Sequence, residues 1–599
     1  MHRHRTNPMT NTWTPALLGL AVAAGLAIAQ DPPGSGAGTI EFVDSGQALG
    51  NSRSKSVALG DLDGDGDLDA MVANTLEQPN TVWTNDGNGT FTNSGQALGN
   101  SDSDSVALGD LDGDGDLDAM VANYDQPNTT WVNVTSPPTI CLDGDCTYQD
   151  LQAAIDTAGS GSVITLFSGT LPITTTLDTR GKALTIRGAV DATTGEPLTV
   201  LDGQGLVGVL QCIGGEGPDT VFEDLVIRGG RAVDGGGLYT DASSPTVRRC
   251  RFESNQADSA GGGSYNRSGS PTFTDCTFQD NLAVFGGGMY NQQGSSPTVT
   301  GCVFPGNIAT TAAGGMENFN PSNPVVTGCT FTGNAAPFGG GLRCIEQCDP
   351  VLTDCTFSSN TAESAGGGIE IATGSNPTLV NCTFTSNDSP FGGGLRCTGD
   401  CDPMLTDCVF TSTTAGERGG GISLADGSGA TLDGCTFTGN TAIVGGGLGC
   451  SEGTRATMTG CSFTENSAGS TNSPPFVYGR GGGIGTEGVM SSLLLTDCSF
   501  TANSGTNGAA ADIVLDEAIF TRCSFNDHEV LSTNVEGTVV ELGVGSNEPA
   551  RFVECSFRDN RVQTTGIYRG ATLRFFGDMS LEGCTFATNE SCSIVDSIA

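Results

Sequence analysis

Basic and imidazole side chains are scarce. Across 599 residues, 24 lysines and arginines face 67 aspartates and glutamates, giving a formal charge of −43. Only Lys55 and Lys182 are lysines, and the histidines are His2, His4 and His528. So acidic a chain repels nucleic acid and anionic membrane surfaces and attracts divalent cations; no nucleic-acid partner is expected. Long apolar runs are also missing. The stretch Ala16–Leu26 is short for a bilayer, and no later segment approaches the ~20 residues a membrane helix needs. That stretch follows Arg3 and Arg5 and precedes Ala27-Ile28-Ala29, a small-x-small cleavage site. Residues 1–29 therefore read as a signal peptide and 30–40 as a linker, placing the mature chain outside the cell, secreted or at its surface. His2 and His4 leave with the signal. The single imidazole that remains, His528, excludes a two-histidine mechanism and a multi-histidine metal site. Helical periodicity is nearly absent as well. "TYQDLQAAIDTA" at Thr147–Ala158 is the best candidate, an expected amphipathic cap.

What the chain does contain is repetition. "SGQALGNSRSKSVALGD" from Ser45 returns as "SGQALGNSDSDSVALGD" from Ser94, 49 residues on. Each copy reads as strand, acidic loop, strand, and "WTNDGNGTFT" at Trp83–Thr92 marks a hairpin. Residues 41–134 hold this pair. A shorter period fills 135–599: cysteine followed two residues later by phenylalanine, at Cys250, Cys276, Cys302, Cys329, Cys355, Cys382, Cys408, Cys435 and Cys461, spaced by 26 or 27. It continues more loosely at Cys498, Cys523, Cys555 and Cys584. Asparagine stands three residues beyond most of the phenylalanines, and glycine clusters such as Gly286–Gly288 keep the same register. Short apolar strands, glycine turns and this period predict an all-β chain dominated by a β-solenoid of about 15 coils at ~4.8 Å each. Cys and Phe of each "CTF" share an inward face, and the asparagines form a column at a turn.

The loop "DLDGDGDLD" occurs in both copies. Asp61, Asp63, Asp65, Asp67 and Asp69 in the first, with Asp110, Asp112, Asp114, Asp116 and Asp118 in the second, are the candidate metal ligands. Oxygen ligands at alternate positions with a glycine at position 6 suit Ca²⁺, which takes 6–8 oxygens at about 2.3–2.6 Å. An EF-hand would need a glutamate at position 12, where Val72 and Val121 stand. Carboxylates this crowded repel until a cation neutralises them, so a structural role for Ca²⁺ is expected.

The column cysteines are expected to pack as unbridged small hydrophobes, because in-register neighbours sit farther apart than a disulfide allows. Cys141/Cys146, Cys344/Cys348 and Cys397/Cys401 are expected to form local disulfides in an exported protein. The best enzymatic constellation is Arg343 and Arg396, in the repeated "FGGGLRC", with acids nearby in "CIEQCDP" and "CTGDCDP". Repeat-imposed similarity accounts for it equally well.

The acidic copies resemble FG-GAP repeats of the integrin and VCBS type, on the loop aspartates, the strand that follows and "NDGNGTF" at Asn85–Phe91. That family builds seven-bladed propellers; this chain holds two blade repeats. From about residue 141 onward the chain resembles the right-handed parallel β-helix, or pectin-lyase-like, superfamily. "FGGGMYN" and "CTFTGN" are similar to polymorphic outer-membrane protein repeats. Two readings follow. The favoured one, from regular repetition without an irregular His- or Arg-rich polar cluster, is a non-enzymatic surface or extracellular protein acting in adhesion or in binding an extracellular polysaccharide or a cell-surface protein. The second is a polysaccharide lyase or glycoside hydrolase. Catalytic residues are not assigned.

Overall fold

A computed structural model describes residues 43–63, 67–111, 116–133, 139–140, 150–469, 479–505, 507–532, 537–544, 549–564, 570–591 and 593–598. The expected signal peptide and linker, the Cys141/Cys146 pair, and Asp65, Asp112 and Asp114 lie outside the described residues. The chain divides into compact units after Asn51; residues 43–51 of the first carry neither strand nor helix.

The 49-residue repeat folds as two antiparallel sheets. The first runs β1 (Ser54–Gly60), β2 (Asp69–Asn74), β3 (Asn80–Asn85) and β4 (Phe91–Leu98) in sequential order. The second runs β5 (Ser103–Gly109), β6 (Asp118–Asn123) and β7 (Thr129–Trp131). Asparagine closes the corner after β2. The Asn74 backbone N–H donates to Asn80 Oδ1 (2.8 Å), its Nδ2 donates to Pro79 O (2.8 Å), and its Oδ1 accepts from Ser54 Oγ (2.9 Å). Asn123 repeats the arrangement with Asn128, Pro127 and Ser103. Met71, Ala73 and Val82 of the first sheet pack against Val106, Ala119 and Val121 of the second, with Leu98 and Trp131 at the margin.

The shorter repeat builds parallel coils. A typical coil carries four short strands: Thr277–Gln279, Leu282–Phe285, Met289–Gln292 and Thr298–Thr300. Each pairs with its counterpart a coil later, in register except for a bulge in Leu282–Phe285, so Phe252, Phe278, Phe304 and their successors stack in a 16-stranded sheet. The corners are left-handed residues, such as Asp275, Asp280, Gly286 and Gln293 in this coil. At Gly340 of the Gly-rich corner nothing larger than hydrogen fits: a Cβ there would lie 2.5 Å from the Gly367 carbonyl oxygen of the next coil.

Three inward columns hold the coils. Phenylalanine rings from Phe252 to Phe586 stack nearly parallel, with successive centroids such as 4.6 Å (Phe252–Phe278) and 5.0 Å (Phe357–Phe384). Each fully buried ring contributes roughly 1.5–3 kcal/mol. In the asparagine column, the Asn281 backbone N–H and Nδ2 both donate to Asn307 Oδ1 (3.0 Å each), while Nδ2 also reaches Phe252 O (2.9 Å). The column satisfies its own buried polar groups. Cysteine thiols fill the third column, donating to backbone carbonyls, as Cys276 does to Thr274 O (3.3 Å). The column cysteines are unbridged, as expected. Cys344, Cys348, Cys397 and Cys401 are also free thiols, which overturns the two local disulfides. Cys348 Sγ donates to Ile345 O (3.0 Å) and Cys401 Sγ to Thr398 O (3.2 Å), each replacing the serine hydroxyl that caps this turn in neighbouring coils.

The cap helix is α1 (Leu151–Thr157), shorter than predicted, started by Asp150, whose side chain accepts from the Gln152 N–H. Leu151, Ala154 and Ile155 close over the first coil's Ile164, Leu166, Leu184 and Ile186. Thr147 to Gln149 lie outside the described residues.

Candidate functional site

The acidic loop connects β1 to β2. Asp69 opens β2 and is fully buried, and its carboxylate anchors the loop. One oxygen accepts from the Leu62 and Asp63 amides (2.7 and 3.3 Å), and the other accepts from the Asn85 amide at the end of β3 (2.8 Å). Asp118 does the same in the second copy, taking the Leu111 amide (2.6 Å) and the Asn133 amide (2.7 Å). The ninth-position aspartate therefore sets the backbone of the loop as well as offering lone pairs to its interior.

Carboxylate oxygens of Asp61, Asp63 and Asp69 lie within 4.8 Å of one another. Two oxygens bound to one Ca²⁺ stand at most about 5 Å apart, so this donor set fits a hard cation. Asp67 lies against the β3–β4 hairpin. A Cβ on Gly87 would come within 2.3 Å of Asp67 Oδ2, so only glycine, at φ +74°, lets the hairpin approach so closely. In the second loop Asp110, Asp116 and Asp118 are described, and Asp118 holds the place of Asp69. Asn133 reaches back across the pair, donating from Nδ2 to Leu62 O (2.8 Å).

A second cluster forms on the outer side of the β-helix, at the strand that follows each Gly-rich corner. In-register pairing lines up Tyr239, Tyr265, Tyr290, Glu317, Arg343, Glu370 and Arg396 from seven successive coils. The tyrosines stack at 5.2 and 5.4 Å. Arg343 then bridges two acids, with NH1 at 3.2 Å from Glu317 and Nε at 2.8 Å from Glu370. Glu317 is 2% exposed, and burial pushes its carboxyl up to about 7 against the pull of Arg343. Arg396 lies 4.9 Å from the Phe391 ring, and its buried Nε has no hydrogen-bond partner among the described residues.

The acids expected beside Arg343, in "CIEQCDP", are not its partners; Glu317 and Glu370 are, while Arg396 lies over the Phe391 ring. The missed signal was "MENF" and "IEIA" occupying the place of "LRCI" and "LRCT" after the glycines, visible once the coils are aligned. His528 takes an asparagine's place in the buried column, its Nδ1 2.9 Å from Asn560 Oδ1 and its Nε2 3.4 Å from Asn503 Nδ2. Burial lowers it to about 4, so the imidazole is neutral and structural.

Comparison with known proteins follows the two architectures. A family model described as FG-GAP-like repeat matches residues 61–121. No curated protein matches the chain. Among solved structures, similarity extends to a mannuronic acid specific polysaccharide family 6 lyase from human gut microbiota, at 10% identity over 72% of this chain and 82% of that one, with a TM-score of 0.23. The PL6 family alginate lyase AlyGC is 9% identical over 75% and 98%, with a TM-score of 0.16. PfbA, a surface adhesin of Streptococcus pneumoniae, is 9% identical over 73% and 87%, with a TM-score of 0.18. Scores this low carry no argument, and the assignment rests on the family match and the stacked coils. The model described as right handed beta helix region matches residues 212–314, 236–410 and 389–597, well over half of the sequence, and the chain belongs to that family.

Proposed function

We propose that the protein is an exported, non-enzymatic binding protein. Ca²⁺ held by the acidic loops stiffens the N-terminal sheets, and the outer column of the β-helix engages an extracellular polysaccharide or a cell-surface protein. The observation that carries this reading is the closed charge network: Arg343 is consumed by Glu317 and Glu370, beside a stack of tyrosines. The part-exposed Tyr239 ring and Arg396 guanidinium are the groups of this column that reach a ligand, and His528 is committed to the asparagine column.

A second reading, a polysaccharide lyase or hydrolase, draws on one feature of the same column. An acid raised to about 7 next to the Arg343 guanidinium is what proton transfer near neutrality requires. The experiment is a glycan and protein binding array with the mature protein in calcium, run beside assays for unsaturated and reducing ends on uronate and neutral polysaccharides. Binding weakened about tenfold by Tyr239→Ala or Arg396→Ala, with no ends released, supports the binding reading. Released ends that disappear in Glu317→Gln overturn it. For the metal, chelation lowers the melting transition of the N-terminal sheets and leaves that of the β-helix in place. Asp63→Ala combined with Asp110→Ala abolishes the dependence, and an absence of calorimetric binding at millimolar Ca²⁺ refutes it.

A further inference from the structure

The two N-terminal sheets are identical in sequence from Ser56 to Asn74 and from Ser105 to Asn123, yet they bury opposite faces. Met71 is 1% exposed and its counterpart Met120 48%; Val57 is 58% exposed and its counterpart Val106 7%. Side chains alternate across a strand, so Val57 and Leu59 share one face, while Ala58 and its register partner Met71 share the other. The first sheet therefore applies its Met71 face to the Val106 face of the second. Such an interface is heterologous: it joins two different faces and leaves one of each open. The open faces are Val57 and Leu59 on the first sheet, with Leu59 57% exposed, and Ala107 and Met120 on the second. They are sequence copies of the two faces already joined.

The charges at the seam point the same way. Within the chain Lys55 pairs with Asp104, the residue at its own place one repeat later. Asp102 accepts from the Leu76 and Glu77 amides of the β2–β3 corner. Arg53 and Lys55 are replaced in the second copy by Asp102 and Asp104, within a stretch that otherwise repeats unchanged. Repeating the same step onto another molecule sets Asp104 beside that molecule's Lys55, and Arg53 beside the Asp125 corner. Had both repeats carried lysine at this place, like charges would meet at every seam.

We infer that the N-terminal sheets of one chain associate with those of a second copy through the interface already present within the chain, building a ring of blades shared between molecules. Propellers close with roughly 4–8 blades, so two per chain close with about two to four copies. Lys55 and Asp104 then alternate around that ring.

The test uses the full chain in light scattering and sedimentation at micromolar concentration and above. Wild type shows about two- to fourfold the monomer mass. Leu59→Asp and Met120→Asp, both on exposed side chains, each give monomers, with circular dichroism confirming the fold. Val57→Asp and Leu59→Lys repeat the result at independent substitutions. Mixing Leu59→Asp with Met120→Asp restores one intact seam and gives a dimer that grows no further. A monomeric wild type overturns the inference. So does an oligomer that survives both substitutions, or a mixture that stays monomeric, since a self-complementary interface would behave that way.

Discussion

Met71 and Met120 stand in identical stretches, yet one is buried and the other half exposed. Phe252, Phe331 and Phe463 stand in coils that differ at most positions, yet all three are fully buried. The two regions use repetition differently. In the β-helix each coil translates onto the next, so equivalent residues inherit equivalent neighbours and the pattern tolerates varied sequence. In the paired sheets each unit has two unlike faces, and a pair supplies a partner to only one face of each. Identical sequence then yields unequal environments. Repetition sets a fold where every unit has a neighbour on both sides, and it leaves unsatisfied surface where the array is short.

The largest effect that sharpens this comparison lies in the phenylalanine stack. Phe357→Ala removes a ring held between Phe331 and Phe384 and costs about 3–5 kcal/mol in the β-helix transition. Denaturant unfolding followed by two probes should leave the transition of the N-terminal sheets unmoved; a loss shared equally by both would break the distinction. Asp69→Ala probes the other region. It leaves three amides of the loop and of β3 without their acceptor, and with water reaching part of the loop the cost is about 2 kcal/mol, confined to the N-terminal transition.

The smallest effect is a pH dependence. The folded-state pKa of His528 is lowered from 6.5 to about 4, so the unfolded chain binds the proton first as pH falls. Stability is fully present above about pH 6.5 and is lost progressively towards pH 4. His528→Asn continues the column between Asn503 and Asn560 and should gain about 1–2 kcal/mol over wild type at pH 5, with little difference at pH 8. Equal pH profiles for the two proteins would show that the imidazole is not held neutral by burial.

Much of this was legible in the residues. The Cys-x-Phe period gave the parallel coils, the inward phenylalanines and the hydrogen-bonded asparagine column, because a side chain repeated once per coil must meet itself in the next. The spacing of Asp61, Asp63 and Asp69 marked a cluster whose oxygens do converge. The partners of Arg343 become legible only when the coils are aligned: its acids are more than 25 residues away on either side, and local reading favoured those a few positions downstream. The disulfides failed for a related reason. Short Cys spacing in a loop looked like a bridge, but stacking turns Cys348 into a capping residue of a serine column.

Sequence by itself determined what one unit is: strand, corner, inward ring, acidic loop. These follow from local sterics, alternation and period, and need no knowledge of what lies beside the unit. Tertiary structure alone decided what each unit touches, including the ion pairs Arg343 makes and which face of each N-terminal sheet stays open. Those contacts arise between residues brought together by stacking, and two identical segments can be told apart only by their neighbours.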